Sequence, residues 1–418
     1  VTARVVFTHV YSFSNKGDAA ILAGQIQDLR RELPDLAVDV MTLDYTDVGS
    51  VFEGAPVHPS LMAPYVRRDR GRLTRLAGAI AMMAATLAWA LVRRTTRLSI
   101  WLPQSWRRTT SLLDDADVII GVGGGYLRGI PGLMSTFQLF LLLHQVVLAR
   151  TLGKPTLLPA QSFGPFYGGL QRFAFKTALW GLPSIYPREQ KSADLLHAYG
   201  FDLPADHSVA DAAFLFTPEP RPKMSNPFPE TWKGRKVVGI TVRQWLDKHE
   251  QDQYEAAIAG LCQHILDTGY AVVLIPQVTS DFHGDDDRLV GIRISSYMLD
   301  SAFFFNLDHD FDVHEIYAIY ASLDLLVGTR FHSVIFALRS NVPAMAIEYE
   351  HKTSGILTNL GLADWYLRIE GLQAHELIAM FGRLDEQRSA YLTQLARALP
   401  DYVATGHVPT QDVVRLVS

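Results

Sequence analysis

Short apolar runs alternate along nearly the whole chain with longer segments in which apolar positions recur every three or four residues. The runs predict strands at Val5–Val10, Val38–Leu43, Val118–Val122, Thr156–Ala160, Val237–Val242, Val272–Pro276, Leu325–Gly328 and Ala344–Glu348. The periodic segments between them predict helices. Such alternation belongs to an α/β fold with largely parallel sheets. The rhythm breaks at residues 217–236, "TPEPRPKMSNPFPETWKGRK", where prolines accumulate and periodicity stops. This predicts an N-terminal domain over 1–216, a linker over 217–235 and a C-terminal domain over 236–418.

The halves echo each other. "DVIIGVGGG" from Asp117 and "DLLVGTRFH" from Asp324 both read as Asp, three apolar residues and Gly, and both precede a helix. The echo fits two Rossmann-like domains facing each other across a cleft, each opening a strand end towards a ligand.

Composition narrows the function. Of 418 residues, 48% are apolar and 19% charged, which describes a packed globular protein. The net charge of −5 argues against a nucleic-acid binder. A single cysteine, Cys262, excludes a disulfide framework within the chain and a cysteine metal cluster. The first residues, "RVVFTHV", lack the regions of a signal peptide, so a cytoplasmic location is expected.

Three strand ends carry candidate chemistry. In "SFSNKGDAAIL", Asn15 and Asp18 match a capping box. Two readings stand: a capped turn, or a turn whose Gly17 admits a ligand close to the backbone. "GVGGGYLRG" places Gly123, Gly124 and Gly125 after a buried strand, which suggests close approach by a ligand or by the facing domain. Tyr126 stands where a dinucleotide fingerprint needs its third glycine, so a nicotinamide role is weak.

In "VGTRFHSVIFAL", Phe331, Val334, Ile335 and Leu338 form one helix face, and Arg330 and His332 sit off it in the first turn. A helix N-terminus carries positive partial charge, so a cation there is unfavourable unless it serves an anion site or pairs with an acid. Arg243 follows another strand, and "QSFGP" brings Ser162 to a forced turn. "YPREQKSADLL" carries Arg188 and Glu189, a possible mutual pair, and "AIEYEHK" ends a strand with Tyr349 and Lys352. "DFHGDDD", Asp281 to Asp287, could attract a cation but reads better as a solvated loop. No catalytic Ser-His-Asp signature or zinc spacing is present, and no metal site is expected.

Residues 67–108 stand apart. Leu76–Val92 has no charge, and ten arginines flank it: Arg67, Arg68, Arg70, Arg72, Arg75, Arg93, Arg94, Arg97, Arg107 and Arg108, with Asp69 the one acid. Trp89, Trp101 and Trp106 add amphipathic rings. Three readings stand: a helix packed in the core with a basic flank, one lying on an anionic membrane where it meets the diphosphate of a polyprenyl carrier, or a transmembrane span.

"NKGDAAI", "GVGGGYL", "QSFGP", "REQKSADLL", "VADAAF", "GTRFHSVIFAL" and "VPAMAIEYEHK", in this order, resemble the polysaccharide pyruvyl transferase family. Ala212 departs from the proline frequent in that family. The resemblance implies a GT-B-like fold and transfer of a pyruvyl group from phosphoenolpyruvate to a sugar, forming a ketal and releasing phosphate. It implies no cofactor beyond phosphoenolpyruvate as co-substrate, and a saccharide acceptor. It makes His332 and Arg330 the catalytic pair, with Arg243, Gly328 and Ser333 beside them at the donor. Asn15, Gly17, Asp18, Gly123, Gly124, Gly125 and Ser162 are expected on the acceptor side. A nucleotide-sugar glycosyltransferase and a non-catalytic carbohydrate-binding protein remain alternatives on the same scaffold.

Overall fold

The computed structural model describes residues 3–66, 71–98, 100–182, 184–203, 208–219, 228–280, 285–299 and 301–418. The first half carries β1 (Arg4–Val10), α1 (Lys16–Glu32), β2 (Ala37–Thr42), β3 (Val51–Phe52), β4 (Ala55–Pro59), α2 (Ala63–Val66), α3 (Arg72–Thr96), α4 (Gln104–Asp115), β5 (Val118–Gly121), α5 (Leu133–Leu152), β6 (Thr156–Gln161), α6 (Gly168–Leu179), β7 (Ser184–Pro187) and α7 (Gln190–Ala198). The second carries β8 (Val237–Thr241), α8 (Lys248–Asp267), β9 (Ala271–Leu274), β10 (Thr279–Ser280), β11 (Asp285–Asp286), α9 (Asp287–Ser295), β12 (Phe304–Asn306), α10 (Val313–Ala321), β13 (Leu325–Gly328) and α11 (Phe331–Arg339). It continues with β14 (Ala344–Glu348), α12 (Lys352–Asn359), β15 (Tyr366–Arg368), α13 (Ala374–Glu386), α14 (Arg388–Thr405) and α15 (Val408–Val417).

The chain forms two compact units. The first comprises Val1–Ser12, Ile21–Phe216 and Ala404–Ser418; the second comprises Phe13–Ala20 and Thr217–Val403. The division drawn from the sequence therefore differs at two segments. Residues 13–20 group with the second unit because Lys16 N–H donates to the Gln277 carbonyl at 3.1 Å and Thr279 N–H to that of Ser14 at 3.1 Å. Residues 404–418 return to the first. There the Asp412 carboxylate accepts from the hydroxyls of Ser184, at 2.6 Å, and Tyr186, and Asp28 accepts from Thr410 and pairs with His407 at 2.6 Å.

The sheet of the first unit runs β3-β4-β2-β1-β5-β6-β7, parallel except for the β3/β4 pair. That of the second runs β12-β9-β8-β13-β14-β15, parallel throughout. Each grows outward from its first long strand, so strand order reverses between β1 and β5, and again between β8 and β13. Open α/β sheets bind ligands beyond the carboxyl ends of the strands at such a point. Strands β5, β8, β13 and β14 are buried along their full length, which explains their continuous apolar runs.

The sequence echo has a structural counterpart. The Asp117 carboxylate accepts the Arg4 N–H at 2.8 Å, while Asp117 N–H donates to the Arg4 carbonyl at 2.9 Å. The Asp324 carboxylate accepts the Val237 N–H at 2.7 Å, and Asp324 N–H donates to the Val237 carbonyl at 2.9 Å. The same clasp ties the start of β5 to β1 and of β13 to β8.

Candidate functional site

In the second unit, Gly328 of β13 lies opposite Thr241 of β8 at the switch point. A Cβ on Gly328 would come within 2.7 Å of Val334 Cγ2 and 2.9 Å of Ser333 Oγ, so glycine lets the strand end meet the first turn of α11. Thr241 Oγ1 accepts the Arg330 N–H at 3.1 Å and lies 2.8 Å from Ser333 Oγ, which also donates to the Arg330 carbonyl at 2.5 Å. Ser333 is fully buried, and its hydroxyl positions the turn.

Arg330 is the N-cap of α11, and no side chain caps that helix. It is only 5% exposed, and acids take up its guanidinium. Nε donates to both Asp287 oxygens at 3.0 Å, and Nη2 reaches Asp287 Oδ1 and Asp285 Oδ1, each at 2.5 Å. Burial works against the Arg330 charge, but Asp287 and Asp285 outweigh it and hold the group above its ordinary value. Burial pushes the Asp287 carboxyl up; Arg330 and the backbone N–H groups of Gln277 and Val278, each at 3.0 Å, stabilise its ionised form. The acidic run that read as a solvated loop is thus, in its described part, a set of arginine partners, with Asp286 pairing Arg288 at 2.6 Å. Asp281 and His283 lie outside the described residues. No cluster of three or more metal-ligating side chains occurs among the described residues.

Arg243 differs. Its guanidinium lies over Tyr349, 4.1 Å from the ring centre, and over Trp245, at 4.5 Å. Asp285 Oδ2 is 3.7 Å away, beyond hydrogen-bond reach, and Nε is buried without a hydrogen-bond partner. Stacking fixes the fork while leaving donors available. Lys352 lies 5.4 Å from the Tyr349 ring. Burial would raise the Tyr349 phenol, but Lys352 and Arg243 outweigh it and bring it below its ordinary value.

His332 is half-buried and packs against Gly17. A Cβ on Gly17 would stand 2.0 Å from His332 Nδ1. The close approach expected at Gly17 is therefore made by this imidazole. Asn15 Oδ1 accepts the Gly17 N–H at 3.1 Å and the Asp18 N–H at 3.4 Å, and Asn15 Nδ2 donates to Asp18 at 3.0 Å. Lys16 anchors the turn by donating to Asp310 at 2.7 Å. Asn15, Gly17 and Asp18, expected on the acceptor side of the N-terminal domain, thus belong to the second unit with His332.

The remaining candidates gather in the first unit, beyond β5. Gly123 is closed over: a Cβ there would meet Ile21 at 3.1 Å and the Pro159 carbonyl at 3.2 Å, so the unit's own packing explains the missing side chain. Gly124 has φ 148°, its N–H donates to Ala160 at 3.2 Å and its carbonyl accepts from Ser162 at 2.7 Å. Gly125 lies beside Arg188, with Nη2 3.4 Å from the position of a Cβ. Ser162 Oγ accepts from Arg188 Nε at 2.7 Å and donates to Glu189 at 2.7 Å. Arg188 does approach Glu189, at 3.5 Å, but its stronger pairing is with Asp211, at 2.5 Å.

The sequence left three participants unassigned: Asp285 and Asp287 as partners of Arg330, and Trp245 as the platform under Arg243. The i, i+2 spacing of Arg243 and Trp245 puts both on one side of an extended segment, a signal available in "VRQW".

The chain is 25% identical to the amylovoran biosynthesis protein AmsJ of Erwinia amylovora, over 99% of its own length and 100% of that protein. The fold is GT-B-like. It is similar to the UDP-GlcNAc 2-epimerase of Neisseria meningitidis, with a TM-score of 0.57 at 12% identity over 100% of this chain and 99% of that one. It is also similar to the glycosyltransferase SnogD of Streptomyces nogalater, with a TM-score of 0.50 at 16% identity over 99% and 100%. Residues 15–351, from the turn against His332 to the strand end beside Arg243, match the family described as polysaccharide pyruvyl transferase, and the chain belongs to that family.

Proposed function

We propose that the protein transfers a pyruvyl group from phosphoenolpyruvate to two hydroxyls of one sugar in an exopolysaccharide precursor, forming a cyclic ketal. One observation carries the choice of donor site: Arg243, stacked and with Nε unpartnered, stands at the switch point beside the uncapped N-terminus of α11. Phosphoenolpyruvate offers a carboxylate and a phosphate on one carbon. A planar guanidinium and the positive end of a helix suit two such anions.

Arg330 has a different part in this scheme. Its fork is engaged by Asp285 and Asp287, so it orients the α11 turn and supplies field rather than a free clamp. His332 is the acid/base. Two sugar oxygens bond to the donor's C2, and the bond from C2 to the phosphate oxygen breaks. One of the two hydroxyl protons completes the methyl group at C3, and the other leaves with phosphate. An imidazole can relay both. No cofactor is needed for this balance. We place the reaction in the cytoplasm, with the acceptor carried on a polyprenyl diphosphate.

The test compares donors. Purified protein is given phosphoenolpyruvate with a diol-bearing oligosaccharide, and separately sugar nucleotides with the same acceptor. Phosphate release coupled to a ketal product by mass and NMR is expected. Nucleotide release without phosphate release from phosphoenolpyruvate would replace this reading with glycosyl transfer. Ligand binding without turnover of either donor would replace it with a carbohydrate-binding role.

A further inference from the structure

Helix α3 is apolar on two opposite faces, and only one of them is covered. Ala79, Met82, Thr86, Trp89 and Ala90 are buried in the first unit, where Thr86 Oγ1 meets His144 Nε2 of α5 at 2.9 Å. Across the helix, Leu73, Ala77, Ile80, Ala84, Ala88 and Leu91 are exposed. At ~100° per residue these six fall in a stripe about 80° wide, opposite the buried set. Leu73 is 80% exposed and Leu91 58%, and no charged residue interrupts Leu76–Val92. A helix apolar all round is normally enclosed, by a core or by lipid.

The surroundings are basic. Residues 71–108 contain seven arginines and no acid, in a chain of net charge −5. Arg93 and Arg94 are engaged: Arg93 pairs with Asp114 at 2.8 Å, and Arg94 donates to the Arg150 carbonyl at 3.1 Å. Arg97, Arg107 and Arg108 are exposed, and Trp101, just after the helix, is 80% exposed. Arg67, Arg68 and Arg70 lie outside the described residues.

We propose that α3 docks the protein on an anionic lipid bilayer, lying in the interfacial plane with this stripe in the acyl boundary and the arginines among the headgroups. A span is excluded by the Met82–Trp89 face, which stays packed on the unit's own core. A second copy of the chain is the weaker occupant, because a two-fold interface here would bring two arginine-rich rims together. An anionic bilayer answers both the apolar stripe and the rim.

The test is flotation with phosphatidylcholine vesicles, with and without phosphatidylglycerol, at low and high salt. Wild type is expected to float with the anionic vesicles and to be released by salt. Two variants are compared: Arg97, Arg107 and Arg108 to Glu, and Ile80→Gln with Leu91→Gln. All five positions are exposed, so thermal melting should match wild type, while each variant should bind about tenfold less or weaker still. No flotation of wild type, equal flotation on neutral vesicles, or unchanged flotation of the stripe variant would each overturn the proposal. So would sedimentation showing a dimer that the stripe variant turns into a monomer. None of these readouts depends on turnover, so the proposed reaction is judged separately.

Discussion

Gly17 and His332 share one volume: a single added carbon on Gly17 would overlap the imidazole, 2.0 Å from its Nδ1. The glycine is therefore a packing partner of the candidate catalytic ring. Gly17→Ala should displace the imidazole and cost about 1–3 kcal/mol of stability, with a large loss of turnover. In a His332→Ala background the same change should be nearly neutral for stability, because the clash is gone. Thermal denaturation of the four proteins of this cycle measures the coupling, and purely additive effects would contradict the shared volume.

His332→Ala alone should keep donor binding and lose at least ~10²-fold in turnover, the lower limit usual for a general acid/base. Calorimetry with phosphoenolpyruvate, alongside phosphate release, separates the two. A variant with near wild-type turnover would remove His332 from the chemistry.

The two arginines should part company. Arg330 is buried in ion pairs, so Arg330→Ala should cost about 3–5 kcal/mol by leaving Asp287 without its partner. A clean test of anion binding through Arg330, with the fold untouched, is therefore not expected. Arg243→Ala should instead cost only the stacking, about 0.5–2 kcal/mol, leave the protein folded, and weaken phosphoenolpyruvate binding by roughly 10–100-fold, the equivalent of ~1.5–3 kcal/mol for charged hydrogen bonds. Unchanged binding in a folded Arg243 variant would move the donor site elsewhere.

Acid should loosen the first unit through two histidines. Burial lowers His9 and His144 to about 4 from an ordinary 6.5. Between those values the unfolded chain takes up protons that the folded chain refuses. Their stabilising effect is complete above ~pH 6.5 and declines as pH falls towards ~4, by about 2 kcal/mol per histidine at pH ~5. Denaturant unfolding from pH ~7.5 to ~5 should show this slope, and His144→Gln should flatten it by one proton's worth. An identical slope in that variant would rule His144 out as a contributor.

The centres of both sheets were legible in the sequence, and the edges were not. All eight predicted strands exist, with ends within two residues of expectation. The four longer strands missed, Ala55–Pro59, Ser184–Pro187, Phe304–Asn306 and Tyr366–Arg368, occupy outer positions. "PVHP", "SIYP" and "YLR" carry polar or proline residues that only outer strands tolerate, so they leave no apolar run to detect. At the candidate site, Arg330 and His332 stood out because their charge conflicts with a helix start. Asp285 and Asp287 did not, because their pairing with Arg330 spans more than forty residues of chain and no local spacing encodes it. The grouping of Phe13–Ala20 with the second unit was hidden for the same reason.

The paired clasps of Asp117 on Arg4 and Asp324 on Val237 bear on folding before any ligand is present. A strand displaced by one residue would turn every side chain to the opposite face. In β1 and β8, whose runs are apolar on both sides, hydrophobicity alone penalises such a slip weakly. A carboxylate that meets one particular backbone N–H supplies the missing discrimination, since the slipped pairing would lose that charge-assisted hydrogen bond. Each sheet is thereby indexed at its centre by a single acid, and the alignment of Thr241 with Gly328, on which Arg243 and Arg330 depend, is inherited from that count.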